Sequence, residues 1–255
     1  LHITVKSIKI KKKMRKKRKS MTKMKKAKEE NKERQMCLTL ADVQKLEEVT
    51  ALMTRGNEVL KAIGYTEHSK RHAAKVSVTA QQILLDLGYE KHLAELAGIA
   101  GFMHDIGNAV NRNDHAHNGA ILAYNILKEA GMPLDDCITV MTAIGHHDEK
   151  TGTAVDPVSA ALILADKTDV RRNRVQKSIK ENFDIHDRLN YAVLSASLEI
   201  ILEKRLIQMD LRLDDSICTL MDYFEIFLER MILCKRAAEV LDCRFKLVAN
   251  GSKLC

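Results

Sequence analysis

The chain predicts a mainly α-helical protein with a small C-terminal α+β unit, and three observations carry that expectation. Only 2 of its 255 residues are proline, none is tryptophan, and 45% are hydrophobic, enough to bury one substantial core. Through the first two thirds of the foldable sequence, apolar side chains recur every three or four positions, the spacing of helices that bury one face. From Tyr191 to Leu213 the period changes to two, the spacing of half-buried strands.

Taken in order, the chain divides into a basic tail (1–36), a helical body (37–180) and a C-terminal α+β subdomain (181–255). The formal net charge of +8 is concentrated in the tail, where the run Lys11-Lys12-Lys13-Met14-Arg15-Lys16-Lys17-Arg18-Lys19 has no apolar face. Like charges at that density repel, so the tail is expected to be disordered. It could serve as an arm for nucleic acid or an anionic surface, or be a solvated tail or an upstream extension ending before Met36. Beyond it the charge is nearly balanced, which leaves nucleic acid as a partner only if the tail is functional.

Thr39 or Asp42 caps a first helical stretch carrying Val43, Leu46, Val49, Leu52, Leu60 and Ile63, which Gly64 ends. A second helix opens near Thr66, places His68 and His72 on one face and stops at Gly88; a third, from Lys91 to Met103, delivers His104 and Asp105 at its C-terminal end. A short polar loop leads to His115 and His117, then to a helix through Leu127. After Gly131-Met132-Pro133 another helix runs into Gly145-His146-His147-Asp148, and a last core helix through Leu164 runs into Asp166-Lys167-Thr168-Asp169, with Arg171, Arg172 and Arg174 beyond. In the C-terminal portion His186 falls in a polar turn. Two strands follow, Tyr191–Leu202 and Lys204–Leu213, then a long helix capped by Asp214 or Asp215. Last comes a strand pair, Arg244–Val248 and Ser252–Leu254, joined at Asn250-Gly251, a tight-turn signal. This antiparallel unit with its one long helix is expected to complete the substrate pocket or to join two copies into a homodimer.

No apolar run is long enough to cross a bilayer, so no membrane partner is expected. The six cysteines are scattered without a close pair and no signal-like segment is recognised, so reduced thiols in a cytoplasm are expected.

Eight of the ten histidines lie in the helical body, seven of them clustered and His92 isolated. A lone histidine on a helix is ordinarily a satisfied surface or core residue. Here His72, His104-Asp105, His115, His146-His147 and Asp166 occupy five segments, each at a helix face or terminus. Imidazole and carboxylate are the ligands from which divalent-metal sites are built, so this pattern points to convergence on metal.

The order His72, His104-Asp105, His115, His146-His147, Asp166 resembles the HD-domain superfamily of metal-dependent phosphohydrolases, over about residues 60 to 175. His104-Asp105-Ile106-Gly107 reproduces the HDIG variant of its signature. The stretch His115-Ala116-His117-Asn118-Gly119-Ala120 is similar to the His-x-x-x-Gly-Ala of two-metal members, which selects His115 over His117; Ala165-Asp166 matches the terminal aspartate, which selects Asp166 over Asp169. Asn108 stands where many relatives have lysine, and no Gly-Tyr-Pro motif of the cyclic-di-GMP phosphodiesterases is present. The short Asp105–His115 spacing is similar instead to compact bacterial HD hydrolases, including those that cleave dinucleoside tetraphosphates.

The resemblance implies an HD-type helical bundle holding one or two divalent ions, iron, manganese or similar. His72, His104, Asp105 and Asp166 would hold the first, and Asp105 would bridge to a second held by His115, His146 and His147. A hydroxide bridging the metals would attack a phosphate ester or anhydride of a nucleotide or another phosphorylated small molecule. Asp105, Lys167, Arg171 and Arg172 are the expected catalytic residues, the last three as charge neutralisers. His68, one turn before His72, would be a further ligand or a donor that orients His72. A catalytically weak nucleotide-sensing module and an RNA-associated protein acting through the tail are the alternatives.

Overall fold

In the computed structural model the described residues are 38–65, 69–170, 172, 175 and 185–254. The expectations for the basic tail and for His68, Arg171 and Arg174 lie outside them.

Thr39–Cys255 forms one compact unit. Its helices are α1 (Leu40–Val43), α2 (Glu47–Ala62), α3 (Lys70–Asp86), α4 (Lys91–Met103), α5 (His115–Glu129), α6 (Leu134–Gly145) and α7 (Pro157–Lys167). After α8 (Ile185–Ala192) come β1 (Val193–Ile201), β2 (Leu206–Leu213), α9 (Leu220–Val240), β3 (Arg244–Ala249) and β4 (Ser252–Lys253).

The body is organised around α7. Asp156 and Ser159 form a reciprocal capping box, and Pro157 occupies the first turn, where its missing N–H costs nothing. Val158 through Ala165 are all buried. A helix apolar on every side must be surrounded, and α3, α4, α6 and α9 pack against it. The end of α3 shows why the glycine reading worked: Gly88 takes φ +82, and the next N–H, of Tyr89, donates to Leu84 O at 2.9 Å. α3 and α4 approach closely because a Cβ on Gly101 would lie 2.9 Å from the Ser77 backbone.

Three elements differ from expectation. The first helical stretch is split into α1 and α2, with Leu46 extended between them (ψ 118). His186 lies within α8, not in a turn. The long helix starts at Leu220, with Thr219 rather than Asp214 or Asp215 as its cap: the Thr219 hydroxyl accepts from Asp222 N–H and the Asp222 carboxylate accepts from Thr219 N–H.

The strands form one four-stranded sheet in the order β1-β2-β3-β4. The β1–β2 and β3–β4 pairings are antiparallel as expected, but β2 and β3 are parallel. The long helix makes this possible, since parallel neighbours need a crossover connection and α9 supplies it. Ile207, Met209 and Leu211 pair in register with Phe245, Leu247 and Ala249, and all six are buried. α9 packs on β3 from one side and on α7 from the other, with Tyr223, Phe227, Met231 and Cys234 buried. The C-terminal elements are thereby built onto the helical body. Among the described residues no helix is long and apolar enough to cross a membrane.

Candidate metal centre

Five helix ends or faces deliver the predicted side chains to one place. α3 presents His72 in its first turn; α4 ends at Met103, and His104 and Asp105 follow directly. A 3-10 turn, Ile106–Ala109, then brings the chain to α5. Its Gly107 has no room for a side chain: a Cβ there would sit 2.0 Å from His115 O. This contact is what carries His115 back to Asp105, and it gives the glycine of the HDIG stretch a physical reason.

The atoms facing one another have the spacing of a coordination sphere. His72 Nε2 is 3.2 Å from Asp166 Oδ1 and 3.7 Å from Asp105 Oδ2. His104 Nε2 is 3.1 Å from Asp105 Oδ2 and 3.6 Å from Asp166 Oδ1. On the other side of Asp105, Oδ1 lies 3.9 Å from His115 Nε2, which is 3.2 Å from His147 Nε2. Ligands bound tetrahedrally at about 2.0–2.1 Å lie about 3.3 Å apart. Among the described residues, His72, His104 and Asp166 form one group able to hold a metal ion, and His104, Asp105 and His147 another.

Each imidazole is set to offer Nε2 inward. The Nδ1–H groups of His104, His115 and His147 donate to the carbonyls of Gly101 (2.8 Å), Arg112 (3.1 Å) and Ile144 (2.7 Å), each three residues upstream. His72 Nδ1–H donates to the Asp169 carboxylate at 2.7 Å, the carboxylate–histidine arrangement that orients metal ligands. With these tautomers His115 and His147 turn two lone pairs toward each other and neither can donate to its neighbour. Among the described residues the buried Nε2 of His104 faces the Asp105 and Asp166 carboxylates. A cation satisfies all of these atoms, so the residues fit a divalent metal.

The electrostatics agree. Burial pushes the His147 imidazole well below its ordinary value, helped by the neighbouring His104, His115 and Lys167, and burial lowers His115 too, so both are neutral ligands. For His104 burial acts downward, but the Asp105 and Asp166 carboxylates outweigh it and raise the imidazole to about 10. Burial would raise Asp166; the Lys167 ammonium and the two histidines hold it well below the carboxylate range. Asp166 thus stays ionised, and the rise at His104 shows how strongly the two carboxylates draw positive charge.

Other predicted residues have different surroundings. His146, half-buried, contributes no atom to either group; it caps α6, and its carbonyl lies where a Cβ on Gly152 would fall, at 2.1 Å. Of the adjacent pair, His147 joins one of these groups and His146 joins neither. His117 is exposed. Lys167 is buried beside the ligands, with Nζ 2.9 Å from Asp166 Oδ2 and 2.7 Å from Glu149 Oε2. Arg172 lies away from the cluster: its guanidinium stacks 4.5 Å over Tyr191, donates to that residue's carbonyl and is 3.6 Å from Asp214. The chain has left the centre by then, since α7 ends at Lys167.

Sequence reasoning missed the supporting residues. Asp169 orients His72 and is itself held by Lys75 at 2.9 Å. The Asn108 amide donates to Asp105 Oδ1 at 2.8 Å, fixing the central carboxylate. Glu149 joins Lys167 to Arg230 of α9, whose Nε donates to Glu149 Oε1 at 2.9 Å. Only Asp169 left a local signal, standing one helical turn after Asp166. The centre opens into a cavity of about 660 Å³ whose walls include Tyr65, Arg112, His115, Lys167, Phe227 and Arg230.

The chain is similar to known proteins over part of its length. An uncharacterized protein of Methanocaldococcus jannaschii is 29% identical over 160 residues, covering 54% of this chain; the match spans only 59% of that relative's length. The crystal structure of a predicted HD superfamily hydrolase from an uncultured Thermotogales bacterium is 24% identical, with a TM-score of 0.39, covering 49% of this chain and 68% of that one. The model of the HD domain matches residues 70–226, more than half of the chain and all six clustered side chains. The chain belongs to the HD-domain family.

Proposed function

We propose that the protein is a metal-dependent phosphohydrolase that cleaves an ester or anhydride bond of a phosphorylated small molecule, with nucleotides as the substrate class. The observation that carries this reading is the position of Asp105. Its Oδ2 faces His72 and His104, and its Oδ1 faces His115, so one carboxylate stands between two sets of imidazoles.

His72, His104, Asp105 and Asp166 would hold one ion, and Asp105, His115 and His147 a second, with His146 retained as a further candidate. When bound, ions of this kind polarise a phosphoryl oxygen and make water a competent nucleophile near neutral pH. The chain's own groups do the rest. Asn108 keeps Asp105 from rotating, Asp169 fixes the His72 ring, and buried Lys167 stays protonated because Asp166 and Glu149 outweigh the effect of its burial. Lys167 thus neutralises the acid wall without offering a proton. Arg112, held over the Tyr65 ring at 5.4 Å, brings a cation and an aromatic face to the mouth of the cavity, a surface suited to a phosphorylated nucleoside.

The test is metal analysis of protein purified without added metal, together with phosphate release from mono-, di- and cyclic nucleotides. Retained iron or manganese and turnover of at least one nucleotide are expected. Protein that keeps no metal and releases no phosphate after manganese is supplied would refute the reading.

A further inference from the structure

The cavity has a second charged wall that metal chemistry does not use. Arg230 stands in α9, four residues past the end of the HD match at 226. Its Nε donates to Glu149, and its Cζ lies 4.6 Å over the ring of Phe227, which packs edge-on against Tyr223 at 4.9 Å. Carboxylate and ring together fix the plane of the guanidinium. Among the described residues it makes no other hydrogen bond, so both terminal amino groups remain available on the cavity wall, where the side chain is 26% exposed.

The ions between Arg230 and the metal centre limit what it can touch. Asp166 pairs with Lys167, Lys167 with Glu149, and Glu149 with Arg230. Arg230 thus joins the ligand set only through Lys167 and Glu149, and among the described residues no metal ligand pairs with it directly. A planar fork with two parallel donors is shaped for phosphate or carboxylate oxygens.

We propose, resting on the phosphohydrolase reading, that Arg230 anchors a second phosphoryl group, so that the substrate is a molecule carrying two phosphoryl groups, one at the metal centre and one on the α9 wall. Arg230 is then the residue that selects such substrates over simple phosphomonoesters.

The experiment measures calorimetric binding of three non-hydrolysable probes to manganese-loaded protein: methylenediphosphonate, phosphonoacetate and methylphosphonate. Wild type should prefer methylenediphosphonate to both others. Arg230→Met should weaken that probe about 10- to 100-fold, the value of a charge-assisted hydrogen-bonded contact, and leave methylphosphonate within about threefold. Arg230→Lys keeps the charge but loses the fork, so it should fall between the two; it also serves if the methionine variant melts early. A diphosphonate preference that survives both substitutions overturns the proposal, as does a wild type that binds phosphonoacetate equally well. A wild type that hydrolyses nothing yet shows the Arg230-dependent preference supports the anchor and counts against the hydrolase reading alone.

Discussion

The two walls of the cavity are built in opposite ways. On the metal wall three imidazoles are oriented by carbonyls three residues upstream in their own segments, so each ligand carries its support with it. On the cationic wall Glu149 and Arg230 are 81 residues apart, and the pair forms only where α9 meets the body. Locally supported ligands tolerate changes elsewhere in the fold; a wall of ion pairs depends on the whole fold being assembled. Removing one member of a buried pair leaves an uncompensated charge, whereas removing one ligand leaves a defect confined to the metal.

The largest effect follows from removing the carboxylate between the two ligand sets. Asp105→Ala should reduce hydrolysis at least about 1000-fold and lower metal content, while circular dichroism and melting of the apoprotein stay close to wild type. An apoprotein that fails to fold would show that Asp105 is structural and would erase the distinction between the walls.

This contrast also explains what was legible in the sequence. His104-Asp105, His115 and Asp166 were visible because each sits at a helix end marked by glycine, a polar loop or a capping signal. The residues that support them from a distance were not. Arg230 falls on the polar face of an amphipathic helix, where an arginine ordinarily meets solvent, and nothing local indicates that Glu149 reaches it. The strands were visible from their period of two, but the parallel β2–β3 pairing depends on where α9 returns the chain. Of the paired histidines, spacing could not say which joins His104 and Asp105, because a helix C-cap sends neighbours in different directions.

Breaking the cationic wall should cost stability rather than metal. Glu149→Gln leaves Lys167 with only Asp166 and removes the charge that Arg230 pairs with. An unfolding free energy lower by about 3–5 kcal/mol, read from denaturant titration of the apoprotein, is expected, with manganese affinity changed little. A large loss of metal affinity with unchanged stability would mean that the two walls are one site.

Sharpening the metal wall calls for the one ligand that is supported from far away. His72 depends on Asp169, 97 residues distant, where the other three imidazoles depend on backbone. Asp169→Asn keeps the size of the side chain but weakens the acceptor, and should lower metal affinity about 10- to 100-fold by chelator competition. If the loss is no greater than about twofold, local packing of α3 alone orients His72.

The smallest effect tests whether the cationic wall inherits its order from the start of α9. Thr219→Ala removes the hydroxyl that caps the helix and should cost about 1 kcal/mol of stability while leaving metal binding untouched. The reciprocal partner adds a pH signature. Hydrogen bonds from the Thr219 hydroxyl and backbone hold the Asp222 carboxyl below its ordinary value of 3.8. Its contribution is therefore complete above that value and is lost as the pH falls through the lower folded-state value, because the unfolded chain takes up the proton first. Asp222→Asn should flatten that acid limb in urea midpoints measured from about pH 6 to about pH 3. Since Arg230 lies nearly three turns further along α9, its diphosphonate preference should survive both substitutions; its loss would mean that the wall is ordered by the cap and not by Glu149.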